Sequence, residues 1–535
     1  MRRFPVSRAV WVTGVVVFLA GLLIFGVALN RDTSPKISDD AAVRAALASS
    51  DTGKWLRTHP YDRTDVIPLD RENARVSFFK GPRVVVEVAV APSGKVIAVQ
   101  FFPSGYVRAG NATVQHGLAL LAGALLFLLL LAQRPLASQR NIDLAALAAL
   151  TLTIWTVNER LFGWTMLLGV ALMTYLLVRC LGVAARAEAP VAARFLVRFG
   201  ESETQLLRLI AGAVALLAVF VTIPGGSVGD VSQASMSGAT EILAGTMPYG
   251  HIMDGVVHGD TYPLFAYVLY TPAALIWPVH DLFDNLDGGL WIAAIALLAG
   301  AAAIFRAGRS AVDEAFGLRH AAAWLLFPPV LITASSGSND LPTAALVAWA
   351  LATFVHAGRT STWLSAAAWA KVAPVFVLPL WLARFRGAQL KRALIAPVVL
   401  TLAMLALLLA LGGTEGVRKM IDAIAFQSDR GAQLSFWVVT GAPALQIVVQ
   451  AFGFGLAAAG AVAVWRSTAL ASSLVRVSAL SAAVLLVFEI GASYWSYAYL
   501  PWVYPVLVVA LLWPGDATRL RRSDGSPESG SDSGA

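Results

Sequence analysis

Asp230, His251, Asp254, His258 and Asp260 fall within one polar stretch, residues 225–263, GGSVGDVSQASMSGATEILAGTMPYGHIMDGVVHGDTYP. An apolar run, 206–224, leads into it, and a second, 262–278, punctuated by Pro263, Pro272 and Pro278, leads out. Ionisable side chains are costly beside hydrocarbon, so a cluster of them in an apolar chain marks a place for chemistry. Further along stand Asn339, Asp340, Lys371 and Arg430. A carboxylate can take the proton of an attacking hydroxyl, while a lysine and an arginine hold a phosphate and stabilise the charge growing on it as it leaves. Together they are the minimum set for transfer from a phosphate-linked donor. His251 and His258 adjoin glycines and read as solvated loop histidines.

The elements that must position these groups belong to an apolar solvent. Of 535 residues 58% are hydrophobic and 13% charged, and the mean hydropathy is +0.70, which points to an all-α polytopic membrane protein rather than a soluble globule. The single cysteine, Cys180, excludes an internal disulfide and reads as a small apolar residue. A net charge of +8 comes from arginines in short loops, where membrane topology puts them, so nucleic acid is not an expected partner. No zinc or haem motif occurs.

Residues 1–30 read as an uncleaved transmembrane anchor with a cytoplasmic N-terminus: Arg2, Arg3 and Arg8 precede an apolar run long enough to span at about 20 residues. Residues 31–112 are polar and periodic. Ser38 before DDAAVRAALAS predicts a capped helix, while ARVSFFK, RVVVEVAVA and KVIAVQFFP alternate as strands with a hairpin turn at 91–95. This small extracytoplasmic α+β domain resembles the PepSY-like modules of bacterial envelope proteins and reads as a docking or stabilising unit. Residues 113–185 hold three additional spans, at 113–132, 141–157 and 161–183. In 186–514, span 206–224 opens outward. The segment 262–278 is expected at the outer interface, which keeps Arg306, Arg309 and Arg319 cytoplasmic. Spans follow at 289–306, 319–335 and 342–357, then a broken hairpin over 362–383 with Lys371 and Pro374 at its apex. After 392–412 comes a second polar outer loop, 413–437, and spans 438–465, 474–491 and 499–514. The Ser/Gly/Asp-rich tail, 515–535, is expected to be disordered and cytoplasmic.

The order GDVSQASMSGATEILAGTMPYG, TYPLFAYVLYTPAAL, SGSND, WAKVAPVFVLPLW, FQSDRGAQLSFW and YWSYAYLPWVYP is similar to that of the GT-C superfamily of integral membrane glycosyltransferases. The nearest branch is the bacterial mannosyltransferase and arabinofuranosyltransferase-like enzymes that use polyprenyl-phosphate sugars. The resemblance covers about 206–514 and rests on the order of short motifs; Asp230, Gly245, Pro248, Tyr249, Tyr262 and Pro263 occupy the loop positions of the family pattern. Two places depart from that pattern: one proline follows Tyr262 where two are common, and SGSND stands where glycine-glutamine is common.

The resemblance implies a GT-C-like helical bundle over 186–514 in the bacterial cytoplasmic membrane, with its active site on the extracytoplasmic side. It implies inverting transfer of a sugar, mannose or arabinofuranose, from a polyprenyl-phosphate donor to an envelope glycan or glycolipid acceptor. Asp230 would be the base, Lys371 and Arg430 would hold the donor phosphate, and Tyr249, Asp260, Tyr262, Asn339 and Tyr497 would contact acceptor or sugar. Tyr494, Trp495 and Tyr499 share the aromatic stretch around Tyr497, which an interfacial belt explains equally. No cofactor is implied beyond the lipid-linked donor; a divalent metal requirement stays open and no metal ligand is assigned. Three other readings stand beside these. Asp230 caps the helix that follows, Lys371 snorkels to the interface, and the same charges line the pathway of a transporter or lipid flippase.

Overall fold

The computed structural model describes residues 37–68, 73–81, 83–107, 110–159, 161–186, 194–252, 260–280, 286–429, 435–440 and 442–514. The expected anchor at 1–30 and tail at 515–535 lie outside the described residues, as do Asp254, His258 and Arg430.

Two parts differ in kind. The first opens with helices α1 (Asp39–Ala48) and α2 (Ser50–Thr58) and continues as a four-stranded antiparallel meander. Its strands are β1 (Arg63–Pro68), β2 (Ala74–Lys80), β3 (Arg83–Val90) and β4 (Val96–Val107). Ser38 caps α1 by accepting from the Ala41 N–H, and Asp39 and Asp40 sit in the first turn, where the helix dipole favours them. Val76, Phe78, Val86 and Val88 are buried with Ala42 and Ala46 of α1, so the strand alternation expected from sequence fills one core. β1 was not anticipated: RTDVIP has little apolar alternation, and its pairing with β2, Arg63 opposite Phe79, makes it a strand.

The second part is helical. Its first helices are α3 (Gly117–Leu131), α4 (Gln139–Ala149), α5 (Thr151–Asn158), α6 (Phe162–Ala185) and α7 (Glu203–Thr222). The polar stretch follows, with α8 (Asp230–Leu243), α9 (Leu264–Val268) and α10 (Thr271–Ala274). Then come α11 (Asp287–Ala311), α12 (Glu314–Leu326), α13 (Pro328–Ser335), α14 (Asp340–Ala352), α15 (Ala357–Ala370) and α16 (Leu378–Leu382). Last are α17 (Gly387–Asp429), α18 (Pro443–Arg466), α19 (Leu474–Ile490) and α20 (Leu500–Leu512). Among the described residues six helices are long and apolar enough to cross a membrane, or seven if α12 and α13, bent by 56°, form one span. That count fits a multi-pass membrane protein.

Segment 262–278 forms only α9 and α10, five and four residues long, because prolines 263, 272 and 278 stop any longer helix. The polar loop expected over 413–437 is instead helical as far as Asp429: α17 passes through a break at Gly413 (φ 59°, ψ −153°) and resumes. The charges that suggested a loop serve that helix, since Arg418 pairs with Glu415 and Asp422 at three- and four-residue spacing.

Small residues set the closest helix contacts. A Cβ added at Gly308 of α11 would stand 2.9 Å from the Cα of Gly317 on α12, and one at Gly300 would stand 2.8 Å from the Trp324 ring. Trp324 then donates its indole N–H to the Leu297 carbonyl. Two charges carried inside show how pairing works. Asp143, fully buried, accepts from Arg179 at 2.9 and 3.0 Å and from the Tyr175 hydroxyl at 2.7 Å. Arg319, which the sequence suggests for a cytoplasmic loop, is fully buried on α12, pairs with Glu203 and stacks on Phe195.

Removing one partner of a buried pair strands the other, at a cost of about 3–5 kcal/mol. Asp143→Ala therefore lowers the melting temperature of the detergent-purified protein by several degrees, whereas Val178→Ala on the exposed face of α6 leaves it within about one degree. Equal melting temperatures for the two variants would show that the Arg179 pair contributes nothing.

Candidate functional site

The site is built where α13 turns into α14. The residues ending α13 are small and polar, Ser335–Ser336–Gly337–Ser338–Asn339, and Gly337 takes φ +66°, which suits a residue without a Cβ. The turn is fastened to the strand of chain entering α8: the N–H of Ser227 donates to the Ser335 carbonyl at 3.0 Å and that of Gly229 to the Ser336 carbonyl at 3.1 Å. Asp230 therefore enters beside this turn. Its side chain is exposed, accepts from the next backbone N–H, Val231, at 2.8 Å, and forms no ion pair among the described residues. Gly229, not Asp230, is the N-cap of α8, so the capping reading does not describe Asp230; it sits in the first turn, where the dipole favours its charge.

Asp340 opens α14 and is buried. One oxygen accepts from the Ser338 hydroxyl at 2.7 Å; the other lies 2.9 Å from the Lys371 ammonium. Lys371 stands at the break expected from sequence. Helix α15 ends at Ala370, Lys371 is extended (φ −142°, ψ 145°), and a 3-10 turn at Ala373–Phe376 leads to α16. Its side chain is 12% exposed, so it does not snorkel freely to solvent. Tyrosine faces flank it: the ammonium lies 4.7 Å from the Tyr262 ring centre and 5.3 Å from that of Tyr499. The carboxylate and the two ring faces hold the ammonium in place.

Asn339, also buried, donates to the Ser235 hydroxyl of α8 at 3.3 Å, while its side-chain amide oxygen has no hydrogen-bond partner among the described residues. A buried amide oxygen left without a donor is an acceptor free for a ligand hydroxyl or water.

The loop after α8 is shaped by tyrosines. Tyr249 donates to the Tyr262 carbonyl at 2.8 Å, the Tyr262 N–H donates to the Tyr267 hydroxyl at 3.3 Å, and the rings of Tyr249 and Tyr267 meet edge to face at 5.9 Å. Burial, and then the nearby Asp260 carboxylate, push the Tyr249 hydroxyl well above its ordinary value, so it stays a donor. Asp260 accepts from the Gly250 N–H at 3.1 Å and ties the loop back on itself, a turn role.

Lys371 and Tyr262 thus meet directly, Asn339 is next to their partner Asp340, and Tyr249 and Asp260 shape the loop that carries Tyr262. Tyr497 packs with Ile332, Ile154 and Leu120, and Tyr499 lies beside the lysine. Glu489, buried and nearby in sequence, accepts from the Trp495 indole N–H at 3.0 Å. Sequence reasoning placed Asp340 among the outward polar groups but gave it no role; a carboxylate at a helix start in an otherwise apolar run was the available signal. Among the described residues no three His, Cys, Asp or Glu side chains are grouped to hold a metal ion.

Comparison with protein-family models, with curated proteins and with solved structures yields no match.

The tyrosine loop rests on α8 through Gly238, where an added Cβ would stand 2.3 Å from the Tyr267 ring. Overpacking of this kind costs about 1–3 kcal/mol. Gly238→Ala is expected to displace Tyr267 and, through it, Tyr262, and to expose the loop to limited proteolysis near residues 250–260. An unchanged digestion pattern would separate the loop from α8.

Proposed function

We propose that this chain is a membrane glycosyltransferase of the GT-C kind. It moves a sugar, mannose or arabinofuranose, from a polyprenyl-phosphate donor to an envelope glycan or glycolipid acceptor on the outer face of the cytoplasmic membrane. The observation that carries this reading is the Lys371 ammonium, held at a helix break between Tyr262, Tyr499 and Asp340, the last of which follows the turn to which the segment entering Asp230 is bonded. A lysine has three N–H donors, and Asp340 occupies one direction, leaving the others for phosphate oxygens.

In the step proposed, Asp230 takes the proton of the acceptor hydroxyl as its oxygen bonds to the anomeric carbon from the face opposite the phosphate. The anomeric C–O bond to phosphate breaks, its electron pair stays with the phosphate oxygen, and Lys371 stabilises the added charge. Asp340 keeps the ammonium in place when no donor is bound. Arg430, outside the described residues, is assigned the same phosphate on the family pattern alone. The Asn339 carbonyl oxygen, the Tyr262 ring and the loop of Tyr249 and Asp260 supply contacts to acceptor or sugar.

The test is transfer from radiolabelled polyprenyl-phosphate sugars by membranes carrying the full chain. Asp230→Asn keeps the shape and removes the base, and transfer falls by about 10²–10⁴-fold with the protein still in the membrane. Full activity in that variant overturns the base assignment; Asp230-dependent solute uptake without transfer favours the transporter.

Lys371→Ala weakens the donor more than the acceptor. Donor KM rises about tenfold or more while acceptor KM changes less than twofold, since one charge-assisted contact to phosphate is worth about 1.5–3 kcal/mol. Equal changes in both constants would place Lys371 in the fold rather than in donor binding.

A further inference from the structure

The end of the bundle opposite Lys371 holds a second site. Helix α14 runs from Asp340 to Ala352 and α15 returns from Ala357 to Lys371, so about 20 Å of helix separates the ion pair from the other end. There a cavity of about 320 Å³ opens between α11, α14 and α15, lined by Arg306, Trp349, Thr353, Arg359, Thr362 and Trp363. Its size falls at the lower end of small-molecule sites, about 300–1,000 Å³.

The two arginines are unlike those that have partners. Arg179 pairs with Asp143, Arg208 with Glu314 and Arg319 with Glu203; Arg384 and Arg476 donate to backbone carbonyls. Arg306 and Arg359 have neither an ion pair nor a hydrogen bond among the described residues, yet both line this one cavity. Two guanidinium forks on an aromatic wall, with Trp349 and Trp363 at 5.7 Å, form a receptor for a phosphate oxyanion.

What the phosphate is attached to is written on α11. Trp291, Ile295 and Leu298 are exposed on it at 44%, 61% and 39%, and Ala302 continues the row. Ile295 and Arg306 are eleven residues apart, three turns, and so share a face about 16 Å apart along the axis. An apolar stripe of that length ending at an arginine suits an acyl chain beneath its headgroup, whereas a free phosphate would have no use for it.

We propose that this cavity binds the phosphate headgroup of an anionic phospholipid, with its acyl chain along the α11 stripe, in the leaflet opposite the Lys371 site. The full-length protein, purified in detergent, is exchanged into mixed micelles with dioleoyl phosphatidylglycerol or dioleoyl phosphatidylcholine, and retained lipid is counted by native mass spectrometry. The wild-type chain retains phosphatidylglycerol in preference. Arg306→Gln with Arg359→Gln lowers that retention about tenfold or more, while Arg466→Gln, an exposed arginine away from the cavity, leaves it unchanged. The pair Arg306→Lys and Arg359→Lys keeps charge without the fork and retains an intermediate amount, which also separates binding from misfolding. Glycerol phosphate at millimolar concentration does not displace the lipid. Retention unaffected by both double variants, equal retention of the two lipids, or displacement by glycerol phosphate would each overturn the proposal.

Discussion

A charge brought into an apolar bundle has to meet its opposite or leave, and the ion pair of Lys371 with Asp340 is where this chain's architecture turns on that rule. The pair bridges the start of α14 and the end of α15, fixing the register of that hairpin. Because Lys371 is extended rather than helical, the regular helix ends there, and its ammonium lies between two tyrosine rings. The break, the pair and the aromatic walls are one device, and the segment leading to Asp230 is bonded to its edge.

Packing elsewhere follows from economy of size. Glycines at the α11–α12 crossing bring backbones close enough for Trp324 to reach across to Leu297, and the polar groups caught inside are answered locally. Arg384 shows how: burial pushes the guanidinium against carbonyls of Ala471 and Phe354 and onto the Phe354 ring, with no acid involved. Carbonyl oxygens at helix ends carry partial negative charge, so they serve a buried cation where a carboxylate would bring its own desolvation cost.

The helical part was legible because hydropathy reports length and composition directly, and a lone lysine followed by proline in an apolar run announced the break at 371. Pairing was not legible: nothing in the spacing of Asp340 and Lys371, on separate helices, says they touch. Tyr497 and Tyr499 are indistinguishable by composition, and only the 3-10 turn carrying them decides that Tyr499 faces the lysine. Charge misled over 414–429, where Glu415, Arg418 and Asp422 resemble a solvated loop until the helical spacing of the three is counted. The base, phosphate and sugar roles rest on the order of motifs, which geometry accompanies without deciding.

Gly413 divides α17, and residues of both halves meet at the tyrosine loop: Met404 and Leu408 before the break pack in one cluster with Met247, Tyr249 and Tyr267. Beyond it, Val417, Met420 and Ile424 pack with Met247 and Tyr249, and the Lys419 ammonium lies against Gly250. Its backbone conformation is open to glycine and closed to residues bearing a Cβ, so the joint is written into one position. Both arms close on the same tyrosine loop, so a side chain at position 413 would strain the two jaws of a single clasp at once.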